Sequence, residues 1–482
     1  MRLLLVDDDA GQIHIFNKLL PEQAPGVRVL SAANLNQARH LIENEQFDVA
    51  VVDLRIPPSD GGEEADAHGI ALVEKIRTEF PGTPVMILTG YGSMDLVQRT
   101  YKRYMSEGVP FGGKTFKLFE VVTKENLRDC FKTISEFADD WRGLDEIELE
   151  FGARVPALRD EEKRVLKAAA CSFESVRAEI RILAGGMSGA RTFRFVASDA
   201  NGRIRTIAVA KIGDADSIRR ERQAYERYVA GILRAGSFAT FLSEVHPAGT
   251  RMSGLFYRLA EAGSDGQTES LFDVLPRLAP DSVGNLIVSL ARVCTPWTDN
   301  SPRERAVIGD IRRQLISDET LGNLHVELQD ATKEIERRAI TVSTCAQHRD
   351  LHGENVLVQA DSALMLIDFG HVGVAPTGLD AVILELSLVT HARGRALCGG
   401  WPTVAQGECW CDLERYLGQG TPEVVQRLVR ACRDWSERVA GGYNAVVACA
   451  YSYAVRQLRF TDVDQAIVHA IIRSCTEHLR NC

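Results

Sequence analysis

Short apolar runs and amphipathic stretches alternate along the first third of the chain. The apolar runs have the length of strands, and they are Leu3–Val6, Val27–Ala32, Val49–Val52 and Val85–Leu88. Apolar residues at helical spacing follow most of them, over about Ile13–Leu20, Asn36–Glu43 and Ile70–Glu79. Strands that alternate with helices predict a parallel sheet with helices on both faces. The N-terminal fold is therefore predicted to be α/β, with a doubly wound parallel sheet.

Polar residues follow these runs where the predicted strands end. Asp7 and Asp8 follow the first run, Asp53 the third and Thr89 the fourth. Because such sheets bind ligands at the carboxyl ends of their strands, we expect these side chains to meet. Mg²⁺ relieves the repulsion between clustered carboxylates by taking their oxygens as ligands. It would orient a phosphoryl group for attack by a carboxylate, and Thr89 and Lys114 would receive the phosphoryl oxygens.

Four short motifs carry a resemblance to a known family, and they are Leu4-Leu5-Val6-Asp7-Asp8-Asp9, Val51-Val52-Asp53, Leu88-Thr89-Gly90 and Lys114-Thr115-Phe116. Over about residues 1–140 the chain resembles the flavodoxin-like receiver domain of two-component response regulators. The resemblance implies that Asp53 is the phospho-acceptor and that Asp7, Asp8 and Asp53 hold Mg²⁺. It also implies that Thr89 is the switch hydroxyl, Phe111 the rotating aromatic and Lys114 the charged partner. The expected partner is a histidine kinase or another phosphodonor.

Charged residues at helical spacing follow this segment. Residues 141–172 are predicted to be a charged helical linker, and an apolar stripe precedes them at Leu127, Phe131, Ile134 and Phe137. One interpretation is the last helix of the first domain followed by a connector. The other is a signalling helix, and the sequence leaves both open. Since no long Pro/Gly/Ser tract separates the domains, they are predicted to be closely coupled.

A second set of motifs begins with a glycine-rich hairpin. Gly185, Gly186, Ser188 and Gly189 lie between two strand-like runs, where backbone N–H groups can approach phosphates. An ordinary hairpin turn explains the same residues. Further on, Lys211 ends the strand-like run that begins at Ile207, and a helical stretch then carries Glu221, with Glu226 as the second choice. In kinases, a lysine held by a helix glutamate positions the α- and β-phosphates.

The most specific motif spans His348 to Gly370. Asp350 and Asn355 lie five residues apart, and Asp368 follows after two apolar runs. This order predicts a catalytic loop, a short hairpin and a metal-binding aspartate. Asp350 would accept the proton of a substrate hydroxyl, while Asn355 and Asp368 would hold Mg²⁺ on the phosphates of a nucleotide.

These motifs resemble the protein-kinase-like superfamily, and more closely its aminoglycoside and choline phosphotransferase branch. The matching residues are His348-Arg349-Asp350-Leu351-His352, Asn355-Val356-Leu357-Val358, Leu366-Ile367-Asp368-Phe369-Gly370 and Gly378-Leu379-Asp380. The resemblance implies an α+β bilobal domain that binds ATP and Mg²⁺, with an N-lobe over 173–262 and a helical C-lobe over 263–482. No Ala-Pro-Glu motif follows Asp368. The acceptor is therefore left open among a small alcohol, an aminoglycoside-like molecule, a lipid headgroup and a protein hydroxyl.

Composition narrows the class of protein. The formal net charge of -10 argues against broad binding to nucleic acids or anionic membranes. No run of apolar residues is long enough to span a bilayer, and the residues after Met1 do not form a secretory signal. We therefore expect a cytoplasmic protein without nucleic-acid partners or membrane insertion. The spacing of Cys398, Cys409 and Cys411 fits no zinc template, and the eleven cysteines are expected to be reduced.

Together these patterns predict a phosphotransferase whose activity is set by phosphorylation of Asp53. The alternative is a pseudokinase-like scaffold, which binds a nucleotide or a partner without turnover and whose partner binding is switched by the receiver. The residues Lys211, Asp350, Asn355 and Asp368 are all present, and this favours the enzyme.

Overall fold

The computed structural model describes residues 1–90, 102–184, 191–259, 268–299, 301–324, 330–359 and 362–481. The chain divides into two compact units, of which the first comprises 1–219 with 241–259, and the second 220–240 with 260–482. In the parts of the chain that the structure describes, every helix is too short or too polar to cross a membrane.

The first unit begins with a five-stranded parallel sheet. Its strands in chain order are Arg2–Val6, Arg28–Ala32, Val49–Asp53, Val85–Thr89 and Phe119–Thr123. Their spatial order is second, first, third, fourth and fifth, and all neighbours are parallel. The described helices around this sheet are Ala10–Gln23, Leu35–Asn44, Asp66–Glu79 and Leu127–Asp145. The predicted doubly wound α/β fold of this segment is confirmed.

Alternate residues of each strand face opposite sides of this sheet, and both sides are buried. Leu4 and Val52 belong to the core that Leu72 and Ile76 of helix Asp66–Glu79 complete. The neighbouring strand residues, among them Leu3 and Val51, belong to a second core, which contains Phe16, Leu20, Phe131 and Phe137 from helices Ala10–Gln23 and Leu127–Asp145. This burial on both faces explains why the three central strands read as continuous apolar runs.

A six-stranded sheet completes the first unit. In spatial order its strands are Thr240–Val245, Met252–Arg258, Ile204–Asp214, Arg191–Ser198, Arg177–Ala184 and Glu148–Phe151. The edge strand Glu148–Phe151 is parallel to its neighbour, whereas the pairs around Arg191–Ser198 and Ile204–Asp214 are antiparallel. Helix Asp160–Ser172 buries Val165 and Ala169 in the core that this sheet forms with Phe193 and Phe256.

The prediction of a charged linker over 141–172 is wrong. Helix Leu127–Asp145 ends soon after this range begins, and residues 148–151 then form a strand of the six-stranded sheet. Helix Asp160–Ser172 packs on that sheet. Its charged residues are those of an amphipathic helix, whose polar side faces solvent and whose other side is buried. The sheet therefore begins well before the predicted boundary at residue 173.

The second unit is mainly helical. Helix Ala215–Tyr228 enters it from the first unit, and the further helices are Leu271–Val274, Pro280–Thr298, Ile308–Arg313, Asp318–Asn323, Asp330–Ile335, Leu379–Thr390, Ala392–Ala396, Val404–Gly407, Leu413–Leu417, Glu423–Val439, Tyr443–Gln457 and Gln465–Asn481. Two small sheets accompany them. One contains Glu269–Ser270, Val356–Val358 and Leu364–Leu366, and the other contains Arg303–Val307, Ala339–Gln347 and Gly373–Pro376.

These small sheets hold the His348–Gly370 segment. Strand Ala339–Gln347 ends directly before His348. The antiparallel strands Val356–Val358 and Leu364–Leu366 then form the expected hairpin between Asn355 and Asp368. Behind this segment, every residue of helix Leu379–Thr390 is buried. The loop order predicted from the sequence is therefore present, while the kinase-like assignment of the two C-terminal lobes stays a prediction.

Candidate functional site

Three aspartates meet at the carboxyl edge of the five-stranded sheet. Asp7 directly follows the first strand, Asp8 comes next, and Asp53 is the last residue of the adjacent parallel strand. Oxygen atoms of the three carboxylates lie within 4.8 Å of one another. Asp7 is 0% exposed and Asp53 is 7% exposed. Neighbouring parallel strands end at the same edge, and this is why residues far apart in the sequence form one cluster.

Lys124 supplies the positive charge of this cluster. It directly follows the fifth strand, and its Nζ lies 2.6 Å from Asp53 Oδ2 and 2.9 Å from Asp7 Oδ2. Burial raises the pKa of Asp7 above its usual value. Burial alone would lower the pKa of Lys124, but its hydrogen bonds to Asp53 and Asp7 raise it. The lysine is therefore held as an ammonium between two carboxylates.

The prediction that Lys114 is the charged partner is wrong. Lys114 Nζ pairs with Asp140 Oδ1 at 3.5 Å, and its side chain is 71% exposed. A hairpin of Glu107–Gly108 and Phe116–Lys117 precedes the fifth strand, so the strand and the lysine at its end come ten residues later than expected. The segment Phe119–Val122, which is apolar except for Glu120 and ends two residues before Lys124, was the signal that could have located them.

The assignment of Phe111 as the rotating aromatic stays a prediction. Phe111 is buried, and its ring lies 6.4 Å from that of Phe116 and 5.9 Å from that of Phe137. Thr89, by contrast, ends the fourth strand, one residue beyond the Leu88–Asp53 pair. Its hydroxyl donates to the carbonyl oxygen of Gly90 at 2.9 Å, and its role as a switch stays a prediction.

The loop from His348 to Asn355 forms a second polar cluster. Asn355 donates from Nδ2 to the carbonyl oxygen of Asp350 at 2.8 Å. Asn355 Oδ1 is buried and has no hydrogen-bond partner among the described residues. Arg349 and Asp368 have positive φ angles of 63° and 65°. Such backbone conformations cost a non-glycine residue about 1–3 kcal/mol and are found preferentially at functional sites.

Two residues outside the predicted set organise this loop. Asp380 is buried and accepts hydrogen bonds from the backbone N–H groups of His348 at 2.7 Å and Arg349 at 2.8 Å. Arg456, from helix Tyr443–Gln457, donates from Nη2 to Asp350 Oδ1 at 3.0 Å. Asp380 was visible in the sequence as part of the Gly378-Leu379-Asp380 motif. Arg456 carried no signal, because a long helix brings it to the loop from more than a hundred residues away.

The remaining predicted residues are distributed over both units. Glu221 is buried on helix Ala215–Tyr228 and accepts a hydrogen bond from the backbone N–H of Phe369, which follows Asp368, at 3.3 Å. Lys211 is buried on strand Ile204–Asp214. The predicted phosphate-binding residues Gly185, Gly186, Ser188 and Gly189 lie outside the described residues.

Two family models match separate parts of the chain. The model described as "Response regulator receiver domain" matches residues 3–110. The model described as "Ternary complex associated domain 9" matches residues 177–342.

Similarity to individual proteins falls on the same N-terminal segment. Response regulator protein PilR of Pseudomonas aeruginosa is 33% identical over 101 residues, which are 21% of this chain and 20% of PilR. Sporulation initiation phosphotransferase F of Bacillus subtilis is 27% identical over 99 residues, which are 20% of this chain and 72% of that protein. The N-terminal part of the chain is a response-regulator receiver domain.

Solved receiver domains also match this part of the chain. The CheY-like receiver domain protein of Methanospirillum hungatei is 26% identical and covers 29% of this chain and 95% of its own, with a TM-score of 0.23. The match to the transcriptional regulatory protein ZraR of Klebsiella oxytoca spans 26% of this chain and 27% of ZraR. The chain thus spans only about a fifth to a quarter of the long regulators that it matches.

The acidic cluster of the receiver domain fits a Mg²⁺ ion. Carboxylate oxygens are the ligands that Mg²⁺ prefers, and Asp7, Asp8 and Asp53 provide them within one ligand sphere. The ion would neutralise the carboxylates and orient an incoming phosphoryl group. Lys124 would donate hydrogen bonds to the oxygens of this phosphoryl group. The role of Asp53 as the phospho-acceptor stays a prediction, and its buried carboxylate contacts Lys124.

We expect Lys124→Met to impair the receiver domain and Lys114→Met to leave it nearly unchanged. The first variant removes the only cation within hydrogen-bond distance of Asp53 among the described ion pairs, whereas the second removes an exposed pair with Asp140. Losing a hydrogen bond to a charged group typically costs about 1.5–3 kcal/mol. The measurement is the yield and lifetime of phosphorylated Asp53 with a small phosphodonor. Equal effects of the two substitutions would contradict the assignment of Lys124.

Proposed function

We propose that this chain is a signal-transduction phosphotransferase. In this proposal, a histidine kinase or another phosphodonor phosphorylates Asp53, and the receiver domain then regulates an ATP- and Mg²⁺-dependent kinase-like domain. The observation that carries the proposal is the loop around Asp350, which two buried residues, Asp380 and Arg456, hold beside Asn355. The acceptor is a hydroxyl compound.

Asp350 is held as a carboxylate, the form that accepts a hydrogen bond from a hydroxyl group. Burial alone would raise the pKa of Asp350, but the guanidinium group of Arg456 lowers it well below its usual range. In the proposed reaction the acceptor oxygen bonds to the γ-phosphorus, the bond from this phosphorus to the bridging oxygen breaks, and ADP leaves. Asp350 orients the acceptor hydroxyl and takes its proton.

Asn355 and Asp368 would hold Mg²⁺ in this domain. The buried Oδ1 of Asn355, which has no hydrogen-bond partner among the described residues, is a donor atom suited to the ion. When bound, Mg²⁺ supplies neutralising charge for the phosphates. Glu221 holds the backbone N–H of Phe369 and thereby helps to position the adjacent Asp368.

Contacts within the first unit give the receiver domain a route to the six-stranded sheet. Arg164, on helix Asp160–Ser172, pairs with Asp48 and donates to the carbonyl oxygen of Ala248 at 2.9 Å. Asp48 directly precedes the third strand of the receiver, so this contact lies at the amino edge, opposite Asp53. A signal from Asp53 would therefore have to cross the receiver sheet before it reaches Arg164.

The loop His246–Arg251 makes further contacts with the receiver domain. We call these contacts, together with those of Arg164 to Asp48 and Ala248, the junction. The N–H of Gly249 donates to Thr83 Oγ1 at 2.9 Å, and Arg251 Nη2 donates to the carbonyl oxygen of Ile42 at 2.9 Å. Gly249 has a φ of +71°, and a Cβ there would lie 2.6 Å from Asp48 Oδ1. These contacts leave no room for a side chain at residue 249, so the junction is tightly packed. They support close coupling rather than a loose tether.

The alternative is a nucleotide-binding, pseudokinase-like scaffold whose partner binding is switched by the receiver domain. Two observations favour it. The family model that matches residues 177–342 is described as ternary-complex associated. In addition, one carboxylate oxygen of Asp350 is already engaged by Arg456.

Incubation of the full-length protein with γ-labelled ATP, Mg²⁺ and a panel of hydroxyl acceptors tests the proposal, with and without acetyl phosphate. We expect transfer that changes with receiver phosphorylation, since allosteric coupling of about 1–3 kcal/mol gives a change of about 5- to 150-fold. Arg164→Gln should reduce this change because it removes a junction contact. Arg128→Gln, an exposed arginine of the same unit, is the matched control.

The outcomes separate the two functions. Nucleotide binding without transfer to any acceptor would favour the scaffold. Transfer that is the same with and without acetyl phosphate would contradict regulation by the receiver domain.

A further inference from the structure

Three arginines lie in or near the loop that carries Asp350. Arg456 is 6% exposed, and it donates to Asp350 Oδ1 at 3.0 Å and to the carbonyl oxygen of Arg349 at 3.2 Å. Arg459 lies one helical turn further along the chain, and its guanidinium stacks on the ring of Phe460 at 4.4 Å. Arg349, Arg456 and Arg459 are called the arginine cluster below.

The arginine cluster has unsatisfied donors. The Nε atoms of Arg349 and Arg459 are buried, and neither has a hydrogen-bond partner among the described residues. Arg349 uses another nitrogen, Nη2, to reach the carbonyl oxygen of Gln314. An unpaired buried donor typically costs about 1–3 kcal/mol, and more when the group is charged, so such atoms are usually completed by a ligand or water.

Among the described ion pairs, Arg456 is the one member of the cluster that pairs with a carboxylate, that of Asp350. The carboxylate of Asp380 accepts the backbone N–H groups of His348 and Arg349. Burial lowers the pKa values of Arg349 and Arg459, and the charge of Arg456 lowers them further.

We propose that the arginine cluster binds an anionic group, a phosphate or a carboxylate, on the molecule that receives the phosphoryl group. The inference rests on the proposed function, because it assigns the acceptor to the site of Asp350. A guanidinium presents N–H donors in a planar fork that matches both kinds of anion.

The geometry favours the acceptor over the nucleotide as the source of this anion. Arg456 contacts the carboxylate of Asp350, which meets the acceptor hydroxyl in the proposed reaction. The anionic group therefore lies close to the reacting hydroxyl in the acceptor. Such acceptors are hydroxy acids and phosphorylated alcohols, whereas a neutral alcohol brings no anionic group to the arginine cluster.

Calorimetric titration of the full-length protein tests this site without requiring turnover. The probes are glycerol 3-phosphate, glycerate and glycerol, which distinguish a phosphate, a carboxylate and a neutral alcohol. Arg459→Gln removes one guanidinium from the cluster, and Arg292→Gln removes an exposed arginine of the same unit as a matched control. Arg459→Lys keeps the positive charge but removes the planar guanidinium group with its fork of N–H donors.

We expect at least one anionic probe to bind and glycerol not to bind. Arg459→Gln should weaken the binding of the anionic probe by at least about tenfold, which is the effect of losing one charge-assisted hydrogen bond. Arg292→Gln should leave this binding unchanged. Circular dichroism checks that the variants are folded. If Arg459→Gln does not fold, Arg459→Lys takes its place, with an expected loss of a few-fold.

Three results would overturn the inference, namely no binding of either anion, equal binding of glycerol, or unchanged anion binding in a folded Arg459 variant. Failure of the proposed function gives a different pattern. Anion binding that depends on Arg459, together with no transfer from Mg²⁺-ATP, would refute the phosphotransferase and leave the anion site standing. Transfer to glycerol as fast as to the anionic probes would refute the anion site and leave the phosphotransferase standing.

Discussion

Replacing Asp53 by asparagine should abolish labelling of the protein by acetyl phosphate. The nucleophile in this reaction is a carboxylate oxygen, and an amide at residue 53 provides no such oxygen. The Asp53 side chain ends its strand within one ligand sphere of Asp7 and Asp8, and Lys124 Nζ lies 2.6 Å away. We expect a label that depends on Mg²⁺, is stable in acid and is lost in base, as for an acyl phosphate. In Asp53→Asn it should fall below detection.

The matched control for this experiment is Asp139→Asn. Asp139 is an exposed aspartate of helix Leu127–Asp145 that pairs with Arg142 and lies outside the acidic cluster. This variant should be labelled like the wild type. Labelling that persists in Asp53→Asn would show that another residue accepts the phosphoryl group. Labelling that survives removal of Mg²⁺ would contradict the assignment of Asp7 and Asp8 as ligands.

Asp368→Ala should strongly slow phosphoryl transfer from ATP. Asp368 follows the hairpin that comes directly after Asn355. The backbone of Asp368 adopts a strained φ of 65°. Removing this proposed metal ligand would leave the charge that develops on the transferred group without its counter-ion. Loss of a group that stabilises the transition state electrostatically typically lowers kcat by about 10²–10³-fold. The measurement is initial-rate transfer at saturating Mg²⁺-ATP.

A second variant separates nucleotide binding from chemistry. Lys211 is buried on its strand, and Lys211→Met should mainly weaken the binding of ATP. Asp281→Ala removes a highly exposed aspartate that pairs with Arg427. It should change neither the binding of ATP nor the rate of phosphoryl transfer. Turnover of Asp368→Ala within a few-fold of wild type would rule out the kinase-like mechanism. Unchanged ATP binding in Lys211→Met would remove this lysine from the nucleotide site.

Much of the receiver domain could be predicted from the sequence alone. Its three central strands are buried on both faces, so each of them leaves a continuous apolar run that needs no knowledge of its neighbours. Asp7 and Asp53 follow such runs directly, and the parallel order of the strands was enough to bring them together. The order of Asp350, Asn355 and Asp368 was equally local, because one hairpin accounts for the spacing between the last two residues.

Other features depended on contacts that no local pattern records. Lys114 lies within a short apolar segment, and Lys124 follows another. Only the pairing of strand Phe119–Thr123 with strand Val85–Thr89 decides which of the two lysines reaches Asp53. Residues 141–172 read as a charged linker, because the strand at the sheet edge and one side of helix Asp160–Ser172 carry many charged residues.

The sequence by itself determined the parallel sheet, the acidic cluster and the order of the residues in the Asp350 loop, because each follows from periodicity or from residues close together in the chain. The tertiary structure alone decided the partner of Asp53, the junction around Arg164 and the pairing of Asp350 with Arg456. Charged side chains at these positions look like ordinary surface residues in the sequence. Their roles arise from burial next to groups that are distant in the chain, where an opposite charge is needed to offset the cost of desolvation.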